Sequence, residues 1–347
     1  MKITLETKGG EFSFDCAPTQ RILHAALSRG LTVPYECATG TCGTCRGRLV
    51  EGAVHVEWEE APGFARLKRE KGDVLMCQAR PTADCLLRVP ANVSSKSDNP
   101  TCPRHLIGRI ENVRQLTHDV MDFQVALSEP ISFEAGQFAI LEVSGVRGGR
   151  SYSMVNFESA AARITFVVKQ KPGGRFCDWL FQDLATGAEV RLFGPLGRAT
   201  FRPVEARNIL CIAGGSGIAG MLAILEHAKR ENYFRHHRGH VYFGVRTLAD
   251  GFYLDELSHY VSAAEGKLEV TLALSHEQPA TDWHPQFPGI RLSHGLVADV
   301  ASQAMVGRYE DIVSFVAGPP PMVDGTLRFL LRDARIPPQF IRYDKFA

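Results

Sequence analysis

The chain has 347 residues, more than one ordinary hydrophobic core accommodates, which predicts two or three domains. Apolar residues make up 45% and charged residues 22%, as in soluble globular proteins. The formal charge of +1 argues against nucleic acid or an anionic membrane as the main partner. The first residues alternate like a strand without a signal-peptide pattern, and glycines break the longest uncharged run, 209–225. Nine cysteines without a secretory signal then predict a cytoplasmic protein with reduced or metal-bound thiols. Because the run 209–225 is broken by glycines, no membrane span is expected.

The N-terminal segment, residues 1–93, has the pattern of a small domain. Residues 2–7 and 11–15 alternate around a Lys-Gly-Gly turn, which predicts a β-hairpin. Residues 20–29 carry apolar side chains at helical spacing and are followed by a glycine, which predicts a helix. Further strands are expected near 48–50 and 86–89.

Four cysteines of this segment have the spacing of iron ligands. Cys37, Cys42 and Cys45 follow a C-x4-C-x2-C pattern, and Cys77 comes after 31 further residues. This is the plant-type pattern for a [2Fe-2S] cluster, in which four thiolates hold two irons. Glycines within the loop let its backbone approach the sulfides. The alternative, a zinc ribbon, usually has two C-x2-C knuckles, and this segment has one.

Residues 94–103 are polar without an apolar period, which predicts a linker. From 104 to about 204 the sequence consists of strand-like runs separated by glycine and proline, which predicts a small antiparallel barrel. The strands are expected near 106–113, 120–127, 138–143 and 164–168.

Within the predicted barrel, Arg150, Ser151, Tyr152 and Ser153 stand at the start of a strand-like run. Four polar residues on a strand edge are common, but R-x-Y-S resembles the flavin-binding segment of the ferredoxin–NAD(P) reductase superfamily. The resemblance implies that the arginine pairs with a phosphate, the tyrosine stacks on the isoalloxazine and a serine hydroxyl lies near flavin N5.

A second candidate flavin site follows at Pro172-Gly173-Gly174-Arg175-Phe176-Cys177. Two glycines lead into a predicted helix, whose first amides are free to bind a pyrophosphate. The alternative is an ordinary helix start after a hairpin. The superfamily usually has serine or threonine where Cys177 stands, and a thiol is a weaker donor, although the backbone amides remain. Residues 194–197, Gly-Pro-Leu-Gly, are expected to close the barrel, as in these reductases.

From residue 205 the sequence alternates between predicted strands and predicted helices. A continuous apolar strand, 209–213, is followed by G-G-S-G-I-A-G and an apolar helix, so that G-x-G-x-x-G lies between strand and helix as a dinucleotide fingerprint requires. Further strands at 241–245, 268–274 and 312–317 predict a parallel sheet with its ligand at the carboxyl ends. The candidate dinucleotide-binding residues are Gly214, Gly215, Ser216, Gly217, Gly318, Pro319 and Pro320.

Taken together, the chain resembles the reductase component of a bacterial multicomponent oxygenase. The resemblance covers nearly the whole length and rests on the cysteine spacing, R-S-Y-S, the P-G-G turn, A-G-G-S-G-I-A, Y-F-G-V-R-T-L-A-D, A-G-P-P-P-M-V-D and I-R-Y-D-K-F. It implies a multidomain α+β protein: a β-grasp [2Fe-2S] ferredoxin at 1–93, a linker at 94–103, an antiparallel β-barrel FAD domain at 104–204 and a parallel-sheet NAD domain at 205–347.

The resemblance also implies a function. Hydride passes from NADH to FAD, and single electrons pass through the cluster to an oxygenase or hydroxylase component, diiron or Rieske, or to an intermediary ferredoxin, as in aromatic hydrocarbon catabolism. The protein is expected to be monomeric. One alternative keeps the relay but supplies an iron–sulfur deoxysugar dehydrase. Another, of a different class, is a non-catalytic [2Fe-2S] carrier or sensor without flavin.

Three residues take catalytic positions through the resemblance. Ser153 is expected near flavin N5, and Ala317 stands where the family usually has the cysteine beside the nicotinamide. Phe346 corresponds to a terminal aromatic that lies over the flavin ring. The tail 339–346 alternates apolar and polar residues, which predicts a last strand in the NAD-domain sheet, and Phe346 could instead only anchor that strand.

The choice of nicotinamide cofactor depends on the residues after the second strand of the NAD domain. In dinucleotide folds an acidic residue there favours NAD and an arginine favours NADP. This chain has both, Arg246 and Asp250. The spacing G-x-R-x-x-x-D resembles NADH-using members, so NADH is expected and NADPH is the alternative.

Overall fold

The structure is a computed structural model that describes residues 1–95, 101–181 and 185–346. These residues form three units in chain order, each built on its own large sheet. In the described part of the chain, no helix is both long enough and apolar enough to cross a lipid bilayer.

The first unit is a mixed five-stranded sheet with a helix packed on it. Its elements are β1 (Lys2–Thr7), β2 (Gly10–Asp15), α1 (Ile22–Ser28), β3 (Arg46–Glu51), β4 (Val54–Val56), β5 (Asp73–Leu75), β6 (Ala79–Pro81) and β7 (Cys85–Val89). The sheet order is β2-β1-β7-β3-β5, with β1 parallel to β7, and β4 pairs with β6 separately. The expected hairpin, helix and β-grasp arrangement are confirmed. The strands β4, β5 and β6 have three residues each, too few to show a period in the sequence.

The second unit is an antiparallel barrel. Its elements are β8 (Arg104–Thr117), β9 (Val120–Ile131), β10 (Phe138–Val143), β11 (Arg150–Ser153), β12 (Ala161–Lys169), α2 (Arg175–Leu180) and β13 (Glu189–Leu196). The strand order is β11-β10-β13-β8-β9-β12, and a bridge between Met154 and Phe166 closes the sheet. The pair β8–β9 extends beyond the expected strands because bulges, one of them at Asn112 with φ +51°, interrupt the alternation.

The third unit is a six-stranded parallel sheet covered by helices. Its strands are β14 (Asn208–Gly214), β15 (Gly239–Val245), β16 (Leu268–Leu274), β17 (Ile290–His294), β18 (Ile312–Gly318) and β19 (Ile341–Lys345). Its helices are α3 (Ile218–Arg230), α4 (Leu254–Ala263), α5 (Val297–Ala304) and α6 (Pro320–Arg332). The strand order is β17-β16-β15-β14-β18-β19. From β14 the chain adds strands on one side as far as β17 and then on the other side with β18 and β19, and the glycine turn directly follows β14. The C-terminal tail is confirmed as an edge strand, whereas β17 was not expected.

The first unit is packed firmly against the barrel. Phe193 of the barrel belongs to the core of the first unit, and the ring of His24 stacks on it at 3.8 Å between centroids. Arg21, 8% exposed, joins Glu57 of its own unit to Glu142 of the barrel, the second pair at 2.7 Å. The two units therefore share a continuous core and a buried ion-pair bridge.

The predicted domain boundaries fall between the three sheets and stay predictions. Ser94 and Thr32 exchange backbone and side-chain hydrogen bonds, so the start of the predicted linker is held to the first unit. Residues 96–100 of that linker lie outside the described residues.

Candidate functional site

A cavity of about 1100 Å³ lies where the three units meet. The first unit contributes its cysteine loop, the barrel contributes β11 and the segment 171–177, and the third unit contributes Ser216 and residues 343–346. The cavity therefore brings together the predicted iron, flavin and nicotinamide segments.

All four residues of β11 line this cavity. The strand pairs with β10, with Ser153 opposite Phe138. The ring of Tyr152 lies 5.2 Å from that of Phe176, and burial raises the pKa of its phenol, so the ring is neutral and held in place. Ser153 is only 7% exposed to solvent, and it borders the cavity.

The segment that precedes α2 forms another wall. Gly173 has φ +71°, a conformation that glycine adopts without strain, and Gly174 directly precedes the helix. Cys177 is buried, and its Sγ donates to the carbonyl of Lys169 at 3.5 Å. Since this thiol hydrogen already has a partner, the backbone of the segment, together with Arg175, is what remains for a phosphate group.

The four cysteines form two pairs. The Sγ atoms of Cys37 and Cys42 are 3.2 Å apart. The thiols of Cys45 and Cys77 are both buried, and the neighbouring Cys45, followed by burial, raises the pKa of Cys77. Two thiols for each of two irons is the donor set of a [2Fe-2S] cluster, so the site fits the predicted group. The hydrogen bond that joins the thiols of Cys37 and Cys42, with the amides of Thr39 and Cys42 at 3.4 Å as smaller causes, lowers the pKa of Cys37 to about 4.

The cysteine loop is also fixed by glycines. Gly40 and Gly43 have φ +98° and +82°, which places them in the left-handed region. Gly63, in a neighbouring 3-10 turn, donates its amide to the carbonyl of Gly40 at 2.9 Å. A Cβ on Gly63 would lie 2.7 Å from that carbonyl, so this close approach requires glycine. Sequence reasoning found the first two glycines and missed Gly63, which is remote from the motif.

One hydrogen bond joins the cysteine loop to the barrel strand. The Oγ of Ser151 donates to the backbone carbonyl of Cys37 at 2.8 Å. Both residues line the central cavity. The contact places a cluster ligand directly beside the predicted flavin segment, and nothing in the local sequence indicates it.

The glycine turn after β14 is packed backbone to backbone against the end of β18. A Cβ on Gly217 would lie 2.2 Å from the carbonyl of Ala317, and one on Gly318 would lie 3.2 Å from the amide of Gly214. Of the predicted residues of these two turns, within the described chain, only Ser216 lines the cavity. Ala317 is 5% exposed and lies behind the turn.

The C-terminal residues reach the cavity. The amide of Phe346 donates to the carbonyl of Gly318 at 3.0 Å, and its partly buried ring lines the cavity. Asp344 and Glu36 lie in the same lining, and burial, with Glu36 as a second cause, raises the pKa of Asp344 to about 7. The tail pattern predicted a strand but did not indicate this carboxyl.

Arg246 and Asp250 lie outside the cavity lining, after the carboxyl end of β15. The Nη2 of Arg246 is 3.0 Å from Asp250 and 3.0 Å from Asp119, a residue of the β8–β9 turn in the barrel. Thr247 donates to Asp250 from its amide and its hydroxyl. The arginine is therefore shared between two carboxylates, one of which belongs to another unit, and sequence reasoning missed Asp119.

Comparison with known families agrees with this division of the chain. Residues 5–82 match the 2Fe-2S iron-sulfur cluster binding domain, residues 108–201 the oxidoreductase FAD-binding domain, and residues 211–328 the oxidoreductase NAD-binding domain. The FAD- and NAD-binding matches identify an oxidoreductase and exclude a carrier that holds an iron–sulfur cluster alone.

Individual proteins match over nearly the whole length. The ferredoxin–NAD(+) reductase component of the alkene monooxygenase system of Xanthobacter autotrophicus is 37% identical over 96% of this chain and 98% of its own. The structure of the ferredoxin reductase in carbazole 1,9a-dioxygenase has a TM-score of 0.82 at 31% identity, covering 100% of this chain and 99% of the other. The Amycolatopsis cytochrome P450 reductase GcoB has a TM-score of 0.80 at 29% identity, covering 99% and 98%. The chain therefore belongs to the family of ferredoxin–NAD(P)+ reductase components of oxygenase systems, with iron–sulfur, FAD and NAD domains in that order.

Proposed function

We propose that this chain takes hydride from NADH onto FAD in the central cavity and delivers single electrons through a [2Fe-2S] cluster to an oxygenase or hydroxylase component, or to an intermediary ferredoxin. When bound, FAD supplies the conversion between a two-electron donor and a one-electron cluster. The observation that carries the proposal is the 2.8 Å hydrogen bond from Ser151 to the carbonyl of Cys37. It holds a cluster ligand against the strand assigned to flavin.

The flavin is assigned to β11 and the segment before α2. Arg150 and Arg175 both line the cavity and offer guanidinium groups to the pyrophosphate. Tyr152, held by Phe176, offers an aromatic face to the isoalloxazine, and the hydroxyl of Ser153 offers a hydrogen bond near N5.

The nicotinamide is assigned to the side of the cavity lined by Ser216 and Phe346. With FAD bound in the cavity, the ring of Phe346 would shield the flavin from water, and the nicotinamide would have to displace it. Asp344, whose pKa is raised to about 7, can exchange a proton with this part of the cavity near neutral pH. Ala317 contributes backbone that supports the glycine turn, since its carbonyl lies against Gly217.

The preference for NADH is supported by the surroundings of Arg246. Its guanidinium is bound by Asp119 and Asp250, and Asp119 also binds Lys169 at 3.0 Å. A 2′-phosphate would have to displace these carboxylates, whereas a ribose hydroxyl would not. We therefore infer that Arg246 and Asp250, which follow β15, favour NADH over NADPH.

The acceptor is proposed to be an oxygenase component because the related proteins described above serve an alkene monooxygenase, a carbazole dioxygenase and a cytochrome P450. The proposed location is the cytoplasm, and the thiols are consistent with it, since all nine cysteines are free.

The test is anaerobic reduction of the purified protein by NADH. Flavin absorbance should bleach first, and the electron paramagnetic resonance signal of a reduced [2Fe-2S] cluster should follow. A flavin that bleaches while the cluster stays oxidised would contradict the relay, and a protein that NADPH reduces faster than NADH would contradict the cofactor preference.

A further inference from the structure

A second, smaller cavity of about 290 Å³ lies beside the cysteine loop. We call it the arginine groove. Its lining includes Gly43, Thr44, Arg46 and Arg66, with Leu67 and Pro90 as apolar walls. None of the described residues that line it also lines the central cavity.

The groove touches the loop at a different place from the flavin segment. Gly43 and Thr44 lie between the ligands Cys42 and Cys45, and the amide of Thr44 donates to the Sγ of Cys42 at 3.4 Å. The central cavity is instead lined by Cys37, which Ser151 binds. One end of the ligand loop thus borders the flavin cavity and the other borders the arginine groove.

The groove carries positive charge that its own lining does not balance. Among the residues that the structure describes, its lining contains two arginines and no carboxylate. The Nη1 of Arg66 donates to the carbonyl of Cys42 at 3.1 Å, and no described carboxylate lies within ion-pair distance of it. The nearest carboxylate of Arg46 is Asp73, at 3.9 Å.

That carboxylate is already occupied. Asp73 accepts a hydrogen bond from the Nε of Arg48 at 2.9 Å and another from the amide of Lys68 at 3.1 Å. Over the whole of residues 1–93 the charges nearly cancel, with 12 Lys/Arg and 11 Asp/Glu. The local excess beside the cluster is therefore created by the fold and not by composition.

We propose that the arginine groove is where the electron acceptor docks, and that it receives a carboxylate side chain of an acidic acceptor protein. A guanidinium fork binds a carboxylate through two parallel hydrogen bonds, and Arg46 and Arg66 have donors free for it. Leu67 and Pro90 accommodate the methylene groups of the incoming side chain. The groove is lined by Gly43 and Thr44, which lie between the ligands Cys42 and Cys45. A carboxylate bound there would therefore hold the acceptor close to the cluster.

This inference rests on the proposed relay through the cluster. The step it serves transfers one electron: the reduced cluster loses one electron and the acceptor's oxidised centre gains it, and no bond is formed or broken. Because a rim charge acts mainly on encounter and on salt dependence, docking can be separated from the relay experimentally.

The test uses two one-electron acceptors of opposite charge: the soluble haem domain of cytochrome b5, which is acidic, and cytochrome c, which is basic. Binding is measured without NADH by titrating the full-length oxidised protein into labelled b5 domain and following its nuclear magnetic resonance shifts. We expect binding at low ionic strength that weakens with salt, and a loss of about tenfold in affinity in Arg46→Glu.

The matched control is Lys2→Glu. Lys2 is exposed at the start of β1, which pairs with the start of β7, whereas the groove follows the end of β7. This variant has the same change in net charge and should bind b5 within about twofold of wild type if position matters more than net charge.

Kinetics supply the second readout. Arg46→Glu should slow NADH-driven reduction of the b5 domain, leave ferricyanide reduction unchanged and leave or raise the rate with cytochrome c. Equal loss with both cytochromes, or a loss in Lys2→Glu as large as in Arg46→Glu, would overturn the docking site. Failure of the wild type to reduce either cytochrome would overturn the relay itself, which is a separate outcome.

Discussion

Ser151 and Cys37 are 114 residues apart in the chain, yet the serine hydroxyl donates a 2.8 Å hydrogen bond to the cysteine carbonyl. The bond joins the strand assigned to flavin to a ligand of the predicted cluster. It is thus a direct connection between the two redox sites of the chain.

Replacing Ser151 by alanine removes this connection. A neutral hydrogen bond contributes about 1 kcal/mol, so we expect electron transfer to the cluster to slow by roughly fivefold as the loop loosens. Stopped-flow reduction by NADH, with flavin and cluster followed separately, measures the effect. Ser151→Thr keeps the hydroxyl and should behave like wild type. An equal fall in ferricyanide reduction would show damage to the flavin site instead.

Replacing Cys42 by serine should abolish or destabilise the cluster and, with it, cytochrome c reduction. NADH–ferricyanide activity through FAD should survive because the flavin segments belong to another domain. The reason is the pairing of Cys42 with Cys37 in a four-thiol donor set.

Iron content and both activities measure the outcome of that substitution. Cys102→Ser is the control, since Cys102 is also half-buried but lies outside the ligand set. Loss of flavin activity in a folded Cys42→Ser protein would contradict the modular arrangement.

Replacing Phe346 by alanine should raise the apparent affinity for NADH. An aromatic face stacked on the flavin contributes about 0.5–1.5 kcal/mol beyond burial, so the gain should be roughly two- to tenfold. The flavin spectrum should shift and the cluster should stay intact. Phe346→Trp keeps an aromatic face and is the control. Dissociation constants and flavin absorbance identical to wild type would show that the residue only anchors β19.

Replacing Asp119 by asparagine should release Arg246 towards a 2′-phosphate. Arg246 is half-exposed, so the ion pair is worth about 0.2–1 kcal/mol, and KM for NADPH should fall by roughly 1.4- to fivefold. KM for NADH should change little. Adding Arg246→Ala should cancel the gain, and flavin content should be checked because Asp119 also binds Lys169. A gain that persists without Arg246 would refute this reason for the preference.

The burial of His24 between the first unit and the barrel predicts how the stability of the folded protein depends on pH. Burial, followed by Arg21 and the neighbouring His105, holds the pKa of His24 well below its usual range, so it stays neutral against Phe193. Its Nε2 has no hydrogen-bond partner among the described residues. The unfolded chain takes up a proton below about pH 6.5 and the folded chain does not. The free energy of unfolding is therefore highest above about pH 6.5 and decreases as the pH falls below that value.

His24→Phe keeps a stacked ring and removes this titration. Between about pH 7.5 and pH 5 the wild type should lose up to about 2 kcal/mol more stability than the variant, at 1.4 kcal/mol per pH unit below 6.5. Thermal melting of both proteins at the two pH values measures the difference. Parallel pH profiles would show that His24 does not contribute.

Those features of this protein that depend on short stretches of chain could be predicted from its sequence. The cluster ligands, the R-S-Y-S strand, the glycine turn after β14 and the edge strand β19 each follow from a local spacing or a local alternation. A ligand loop and a strand period are chemical requirements on neighbouring residues, so they are visible before the chain is folded.

The tertiary structure decided what depends on residues distant in the chain. Ser151 meets Cys37, Asp119 meets Arg246, and Gly63 supports the cysteine loop only because separate elements pack together. The arginine groove likewise arises in a domain whose total charge is nearly balanced. Packing places particular charges and hydroxyls side by side, and neither composition nor local periodicity records which distant residues become neighbours.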